Sequence, residues 1–168
     1  MIESRLMEPK HEGAVASINI MQLVEDQWRM YQGLRLEMLL TDPQAFPPQA
    51  FADFEAQEDK WRRNITDGII LVAYDEFGPA GMIRGVIDED RAVARNMYSR
   101  LTHRGQGVGR KLMEELLRKF EETQATVAEL EVESTQIPAQ AMYQSFGFFE
   151  TGRVEEGDHF MITMQKPL

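Results

Sequence analysis

The sequence predicts an α+β fold: a mixed, mostly antiparallel sheet with helices on both faces and a central βαβ crossover. Three observations predict this class. Stretches in which apolar residues recur at period two are interspersed with stretches of helical period. The middle of the chain has short apolar runs separated by turn residues, as in an antiparallel meander. A strand, an amphipathic helix and a further strand then follow, an order that joins two parallel strands.

The N-terminal third predicts one strand and two helices. Polar and apolar residues alternate over residues 17–23, which indicates a half-buried strand. A helical period begins at Val24 and ends at Thr41, because Pro43 blocks its continuation. A second helix is predicted over about residues 53–64.

The central segment predicts the meander and the crossover. Strands are predicted over residues 69–74, 80–87 and 92–101, with turn residues between them. Apolar residues then recur at helical spacing over residues 108–120. Glutamates alternate with apolar residues over residues 129–133, so a strand follows that helix.

The C-terminal segment predicts a short helix and a hairpin. Pro138 suits the first turn of a helix that continues over residues 139–145 and ends at Gly147. Residues 148–154 and 160–164 are predicted to close the chain as a β-hairpin.

Composition and charge exclude several classes of function. We expect residues 1–13 to form a leader or peripheral segment and residues 14–168 a single domain. The net charge of −10 argues against nucleic acid as a partner. No apolar run approaches the ~20 residues of a membrane helix, so we expect a cytoplasmic protein without a membrane partner. The chain has no cysteine and its three histidines lack metal-ligand spacing, so no metal is expected.

The segment that carries chemistry lies between the last meander strand and the long helix. Gly105, Gly107 and Gly109 stand at alternate positions there. Glycines let successive backbone N–H groups point into one concavity, and a helix N-terminus adds partial positive charge, which together favour a phosphate ligand. Residues 100–111 contain no acidic residue and four basic ones, Arg100, Arg104, Arg110 and Lys111. The alternative is a plain strand-to-helix loop with solvated arginines.

The glycine spacing discriminates between phosphate ligands. Gly109 is followed by Arg110, so the pattern G-x-x-x-x-G-K-[ST] is absent, and the third glycine comes one residue early for G-x-G-x-x-G. The segment from Arg104 to Gly109 fits [RQ]-x-x-G-x-[GA]. It resembles the acyl-CoA pyrophosphate loop of the GNAT N-acetyltransferase superfamily.

Three further segments are similar to the same superfamily. Residues 97–99 lie where it has a bulged fourth strand, and residues 139–148 fit its A-x-x-[LM]-Y-x-x-x-G-F segment. Residues 33–39 are similar to its first helix. The resemblance therefore spans residues 17–166 and implies a GNAT-like fold.

The resemblance implies a site for acetyl-CoA as co-substrate. Backbone N–H groups of residues 104–109 would bind the CoA pyrophosphate, and edge groups of Tyr98 and Ser99 would pair with the pantetheine arm and polarise the thioester carbonyl. Gln136 stands where many members have asparagine, so its contact is expected to shift. The implied coenzyme-binding residues are Tyr98, Ser99, Arg104, Gly105, Gln106, Gly107, Val108, Gly109, Arg110 and Gln136.

The resemblance also implies catalytic groups. Tyr143 matches the tyrosine that protonates the departing CoA thiolate, and a phenol of pKa ~10 suits a thiol of pKa ~8.5. The alternative is a core tyrosine with its hydroxyl at the rim. Glu133 is the first candidate for the base that takes a proton from the acceptor ammonium, and Glu37 and Glu89 are weaker candidates. Each of these acids can instead be solvated or orient the substrate.

The acceptor itself is left open. Glu37, Phe46 and His159 are candidate substrate-binding residues, because the loop around Phe46 and the closing hairpin are expected to wall the acceptor pocket. A small-molecule amine, a peptide N-terminus and a lysine all remain, and the net charge of −10 favours a cationic small molecule. The resemblance also makes a homodimer an expected assembly.

The predicted function is transfer of an acetyl group from acetyl-CoA to a primary amine. Direct attack in a ternary complex is expected, because the chain has no cysteine to form an acyl-enzyme. The alternatives are a catalytically idle acyl-CoA-binding or interaction module with the same fold and a nucleotide-phosphate enzyme. The absent phosphate-loop patterns disfavour the latter.

Overall fold

The computed structural model describes residues 17–168, apart from the side chains of Glu156 and His159. The leader expected over residues 1–13 lies outside this range. No helix in residues 17–168 is both long and apolar enough to cross a membrane. The strands are β1 Asn19–Gln22, β2 Ile69–Asp75, β3 Gly78–Asp88, β4 Arg91–Ser99, β5 Val127–Glu133, β6 Phe149–Glu156 and β7 His159–Pro167. The α-helices are α1 Trp28–Thr41, α2 Glu58–Thr66, α3 Val108–Glu121 and α4 Ile137–Ser145.

The seven strands form one sheet in the order β1-β2-β3-β4-β5-β7-β6. Neighbouring strands are antiparallel except β4 and β5, which run parallel with Ala92 opposite Ala128. Helix α3 lies in the connection between these two strands. The predicted α+β class, meander and crossover are therefore confirmed.

Helices cover both faces of the sheet. Leu71 belongs to a core cluster with α3, whereas its neighbour Val72 belongs to a second cluster with α1 and α2. Because successive strand residues point to opposite faces, α3 packs on one face and α1 and α2 on the other. Helix α3 lies so close to β3 that a Cβ at Gly85 would be 2.6 Å from Phe120 Cε1 and 2.7 Å from Leu116 Cδ1.

The start of the second helix was predicted wrongly. Residues Pro48–Glu55 form 3-10 turns, and α2 begins at Glu58 instead of near residue 53. Asp53 lies in the 3-10 segment, and its carboxylate is 2.8 Å from Arg35 and 2.6 Å from Lys60. Acidic residues occupy the first turn of α2, where they suit the helix dipole. Asp53 thus forms an ion pair with Arg35, 18 residues earlier in the chain, which the local pattern did not indicate.

The third meander strand also ends earlier than predicted, at Ser99 instead of residue 101. The Arg100 N–H still donates to the Ala80 carbonyl at 2.9 Å, and residues Leu101–His103 then form a 3-10 turn. This turn leads the chain from the end of β4 towards the start of α3.

Candidate active site

A cleft opens where β4 and β5 stop pairing. Their parallel ladder covers only residues 91–94 of β4 and 127–130 of β5. Beyond it β4 pairs with β3 and β5 pairs with β7, so the sheet is open between them. The cleft has a volume of about 890 Å³, and α1, β4, β5, α4 and the start of α3 line it. A volume of this size suits a small-molecule ligand.

A β-bulge shapes the β4 wall of the cleft. Asn96 and Met97 lie opposite the single residue Ile83, between the pairs Met82–Tyr98 and Arg84–Arg95. Asn96 has a φ of 54°, in the left-handed region that asparagine tolerates better than most residues. The bulge bends the end of β4, and residues 96–99 line the cleft.

Tyr98 is anchored in the layer formed by α1. Its ring is buried, its hydroxyl donates to Glu37 Oε1 at 2.9 Å, and the hydroxyl lies 3.2 Å from Thr41 Oγ1. Burial and the neighbouring Glu37 carboxylate raise the pKa of the Tyr98 phenol. Because the side chain is engaged there, its backbone is what Tyr98 can offer to a ligand. The Ser99 carbonyl accepts a hydrogen bond from Arg104 Nε at 3.2 Å.

The glycine turn, residues 104–109, leads directly into α3. Gly105 and Gly107 have φ values of 74° and 81°, which side-chain-bearing residues rarely adopt. Gly107 is the N-cap of α3, and no described side chain caps the helix. The N–H groups of the first helical turn have no acceptor within a helix, so they can bind an anion at the cleft wall.

The arginines near this turn are paired in space, although they lack acidic neighbours in sequence. Arg104 Nη2 lies 2.6 Å from Asp42 Oδ2, and Arg100 Nη2 lies 2.8 Å from Glu37 Oε2. Arg110 donates to Ser145 Oγ at 2.6 Å. Arg100 and Arg104 are therefore neutralised by acids of α1 and of the residue that follows it. Arg110, which lines the cleft, has no acidic partner among the described residues, so its charge adds to the attraction of the backbone N–H groups for an anion.

Tyr143 reaches the cleft from α4. Its side chain packs edge-to-face on Phe148 with ring centroids 6.2 Å apart, and the residue is only 7% exposed. Burial raises the pKa of the Tyr143 phenol to about 12. Among the described residues, no hydrogen bond engages its hydroxyl. The residue thus has the buried ring of a core tyrosine and also lines the cleft.

Glu133 and Gln136 line the cleft between β5 and α4. Glu133 accepts a hydrogen bond from Thr135 Oγ1 at 2.9 Å, so its carboxylate is partly fixed. Gln136 is the N-cap residue of α4, and its side chain makes no cap hydrogen bond. Both residues thus lie at the rim where β5 leaves the sheet.

The predicted substrate-binding residues divide into three cases. Phe46 lines the cleft, with the Arg35 guanidinium 5.3 Å from its ring centroid. Glu37 is absent from the described residues that line the cleft and instead holds Arg100. The side chain of His159, at the start of β7, lies outside the described part of the chain. Glu89, which was a weaker candidate for the base, lies in the exposed β3–β4 turn, at the opposite end of β4 from Ser99.

Sequence reasoning missed a buried polar cluster around Arg35. Its Nε lies 2.8 Å from Asp53 Oδ2 and its Nη1 donates to Asn96 Oδ1 at 3.3 Å. Arg35 is 8% exposed and lines the cleft. Burial alone would raise the pKa of Asp53, but hydrogen bonds from Lys60 and Arg35 outweigh it and lower that pKa. A cation on the buried side of α1, one turn after Tyr31, was the available signal.

Two further glutamates of β5 also line the cleft. Glu129 and Glu131 precede Glu133 at alternate positions on the same face of the strand. Glu129 accepts a hydrogen bond from Gln165 at 2.7 Å. Among the described residues, no group of three or more acidic or histidine side chains could hold a metal ion. The sequence showed that glutamates alternate with apolar residues in β5, but it did not show that the glutamate face lines the cleft.

Comparison with known proteins identifies a family. The acetyltransferase (GNAT) family matches residues 21–148 of the chain. No curated protein sequence matches the chain at a significant level.

Solved structures share the fold at low sequence identity. The ribosomal-protein-S18-alanine N-acetyltransferase of Escherichia coli superposes with a TM-score of 0.68 and 20% identity, over 90% of this chain and 94% of that one. The PaiA N-acetyltransferase of Thermoplasma acidophilum, solved in complex with coenzyme A, gives 0.71 and 18%, over 90% and 99%. A GNAT acetyltransferase of Streptococcus pneumoniae gives 0.76 and 17%, also over 90% and 99%.

Proposed function

The chain belongs to the GNAT family of acetyltransferases, and we propose that it transfers an acetyl group from acetyl-CoA to a primary amine by direct attack in a ternary complex. One observation carries this proposal: the uncapped start of α3 and the buried phenol of Tyr143 line the same cleft. The first suits a diphosphate and the second suits a departing thiolate.

The glycine turn and the end of β4 that follows the bulge are the proposed coenzyme site. Backbone N–H groups between Arg104 and Arg110 bind the diphosphate, and the backbone of Tyr98 and Ser99 pairs with the pantetheine arm. Beside Tyr98 and Ser99, β4 no longer pairs with β5, and the gap between the two strands leaves room for the pantetheine arm. The Thermoplasma acidophilum neighbour, which was solved with coenzyme A, supports this assignment. When bound, acetyl-CoA supplies the thioester carbonyl that the amine attacks.

Tyr143 is the proposed acid that protonates the thiolate. Its pKa of about 12 keeps the phenol protonated at neutral pH. A CoA-like thiol has a pKa of about 8.5 in water, so transfer of the phenol proton to the thiolate is uphill on these two values. Burial disfavours a bare thiolate as it disfavours a phenolate, so the transfer can accompany cleavage of the C–S bond beside the hydroxyl. The proton is therefore held until negative charge develops on sulfur.

Glu133 is the proposed base for the acceptor amine. An acceptor ammonium must lose a proton before its nitrogen can attack, and Glu133 lines the cleft at the end of β5. Phe46 supplies an apolar wall, and Gln136 offers an amide near the same rim. The Glu131 side chain adds negative charge along β5, which favours a cationic amine, whereas Glu129 lies 3.7 Å from Arg91 and is partly neutralised.

The acceptor class remains broad in this proposal. The Escherichia coli neighbour is named for acetylation of an alanine of a ribosomal protein, so a peptide N-terminus stands beside a small-molecule amine and lysine. A cytoplasmic location and a homodimer stay predictions from the sequence.

A thiol-release assay tests the proposal. Purified protein is incubated with acetyl-CoA and a panel of amines that includes polyamines, aminoglycosides, amino acids and short peptides. Thiol release that requires an amine and falls sharply in Tyr143→Phe supports the transferase. Tight CoA binding with no turnover over the whole panel would instead identify an idle acyl-CoA-binding module.

A further inference from the structure

His103, just before the glycine turn, is held in place by a buried carboxylate. Its Nε2 lies 3.1 Å from Asp75 Oδ2, and its Nδ1 lies 2.8 Å from Thr102 Oγ1. The Asp75 carboxylate only accepts, so Nε2 donates to it, and the Thr102 hydroxyl can donate to Nδ1 or accept from it. Both ring nitrogens therefore have a partner in the neutral and in the charged imidazole. The orientation of the ring is therefore fixed.

Asp75 is itself anchored at the end of β2. Its side chain is 3% exposed, and Oδ1 accepts the Phe77 N–H at 2.8 Å. The hydrogen bond from His103, followed by that from the Phe77 backbone, lowers the pKa of Asp75. The contact between His103 and Asp75 thus ties the segment after β4 to the β2–β3 turn, 28 residues earlier in the chain.

His103 lies at the centre of the hydrogen bonds that shape this segment. Its N–H donates to the Arg100 carbonyl at 2.8 Å, and its carbonyl accepts the Gln106 N–H at 3.4 Å. Gln106 Nε2 also donates to the Thr102 carbonyl at 2.8 Å. His103 lines the cleft as well. A displacement of His103 would therefore move the backbone that leads into Gly107.

We propose that His103, fixed by Asp75, is a positioning residue for the coenzyme diphosphate. It keeps the backbone after β4 in the shape in which the N–H groups at the start of α3 converge on one point. This inference rests on the proposed use of acetyl-CoA. The contact between His103 and Asp75 thereby contributes to an anion site that is otherwise made largely of backbone groups.

The test compares two substitutions at His103 by calorimetric titration of the full chain with CoA. His103→Leu keeps a similar volume and removes both ring hydrogen bonds, and we expect it to raise the Kd for CoA about tenfold, the weight of one charge-assisted hydrogen bond. His103→Gln retains a donor that can reach Asp75, and we expect its Kd to stay within about threefold of the original. Glu150→Gln, which removes the ion pair with Arg153 on β6 outside the cleft, is the matched control and leaves the Kd unchanged.

Turnover separates positioning of the diphosphate from general damage. With His103→Leu, kcat/KM for acetyl-CoA falls as the Kd rises, whereas kcat/KM for S-acetylpantetheine, which has no diphosphate, stays the same. An equal fall for both thioesters, or an unchanged Kd for CoA, overturns the inference. If His103→Leu does not fold, Asp75→Asn replaces it, with the same expected selectivity for the diphosphate. Absence of turnover in the unaltered protein would overturn the proposed function, and the Kd for CoA would still decide the role of His103.

Discussion

The two sides of the cleft are built in different ways. The proposed coenzyme side, defined as residues 98–110, is one continuous segment that presents backbone groups from the last residues of β4 and from a helix start. The proposed acceptor side, represented by α1, the 3-10 segment after it and the β4 bulge, is joined by side chains. The Arg35 side chain holds this side together, because it forms hydrogen bonds with Asp53, 18 residues away in sequence, and with Asn96, 61 residues away.

This difference shows which substitutions each side tolerates. A backbone site depends on conformation, so its weak points are the glycines with positive φ. A site held by a buried ion pair depends on charge balance, because removal of one partner leaves the other charge buried without compensation. Tyr143 lines the same cleft from α4 and belongs to neither side, and its proposed contribution is chemical.

The largest effect is expected from Tyr143→Phe, which removes the proposed acid, a group that belongs to neither side. The substitution keeps the ring packed on Phe148 and removes the acid, so kcat should fall by about 10²–10⁴-fold. The Kd for CoA should change little, because the diphosphate site is untouched. Steady-state kinetics and calorimetry measure the two quantities. A variant with full turnover would show that another group or water protonates the thiolate.

The next effect is expected on the acceptor side, from Asp53→Asn. Arg35 and Lys60 would lose their shared counter-charge, and the buried Arg35 guanidinium makes this costly, at about 3 kcal/mol in the free energy of unfolding. The KM for the amine should rise while the Kd for CoA stays constant. Urea denaturation and kinetics test this. Glu58→Gln, which removes the exposed pair with Arg62, is the control and should cost under ~1 kcal/mol. A parallel loss of CoA affinity would mean that the two sides are not independent.

The coenzyme side is tested by Gly107→Ala. A side chain at a φ of 81° is strained by about 1–2 kcal/mol, and the start of α3 should relax away from its present shape. We expect the Kd for CoA to rise about tenfold while the KM for the amine is unchanged. Gly33→Ala, inside α1 with open space around it, is the matched control and should stabilise the fold by about 0.5–1 kcal/mol. Unchanged CoA affinity in Gly107→Ala would show that the diphosphate does not bind at this turn.

The smallest effect is a difference in acid sensitivity. The pKa of Asp53 is lowered in the folded state, so its contribution to stability is present above the unfolded pKa of about 3.9 and is lost as pH falls through the folded pKa. The free energy of unfolding of the unaltered protein should therefore fall more steeply below about pH 4 than that of Asp53→Asn. Urea denaturation between pH 2 and pH 6 compares the two slopes. Parallel curves would mean that Asp53 has the same pKa in both states.

Local patterns predicted most of the fold and the glycine turn before α3. The period changes at Val24 and over residues 108–120 located α1 and α3, because a buried face repeats at the period of its element. Gly105 and Gly107 marked the turn, since few other residues adopt its backbone conformation. The start of α2 was predicted too early: Asp53 lies in the 3-10 segment, where it pairs with the distant Arg35, and a local pattern does not show such a contact.

The order of the elements along the chain, the backbone turn before α3 and the residue types available for chemistry follow from the amino-acid sequence alone. That Glu37 neutralises Arg100, that Arg35 ties Asp53 to the β4 bulge and that His103 meets Asp75 is seen only in the folded molecule. The cause is the range of the interactions. Backbone conformation and amphipathic period are set by neighbours within a few residues, whereas an ion pair forms between side chains that the packed sheet and helices bring together from far along the chain.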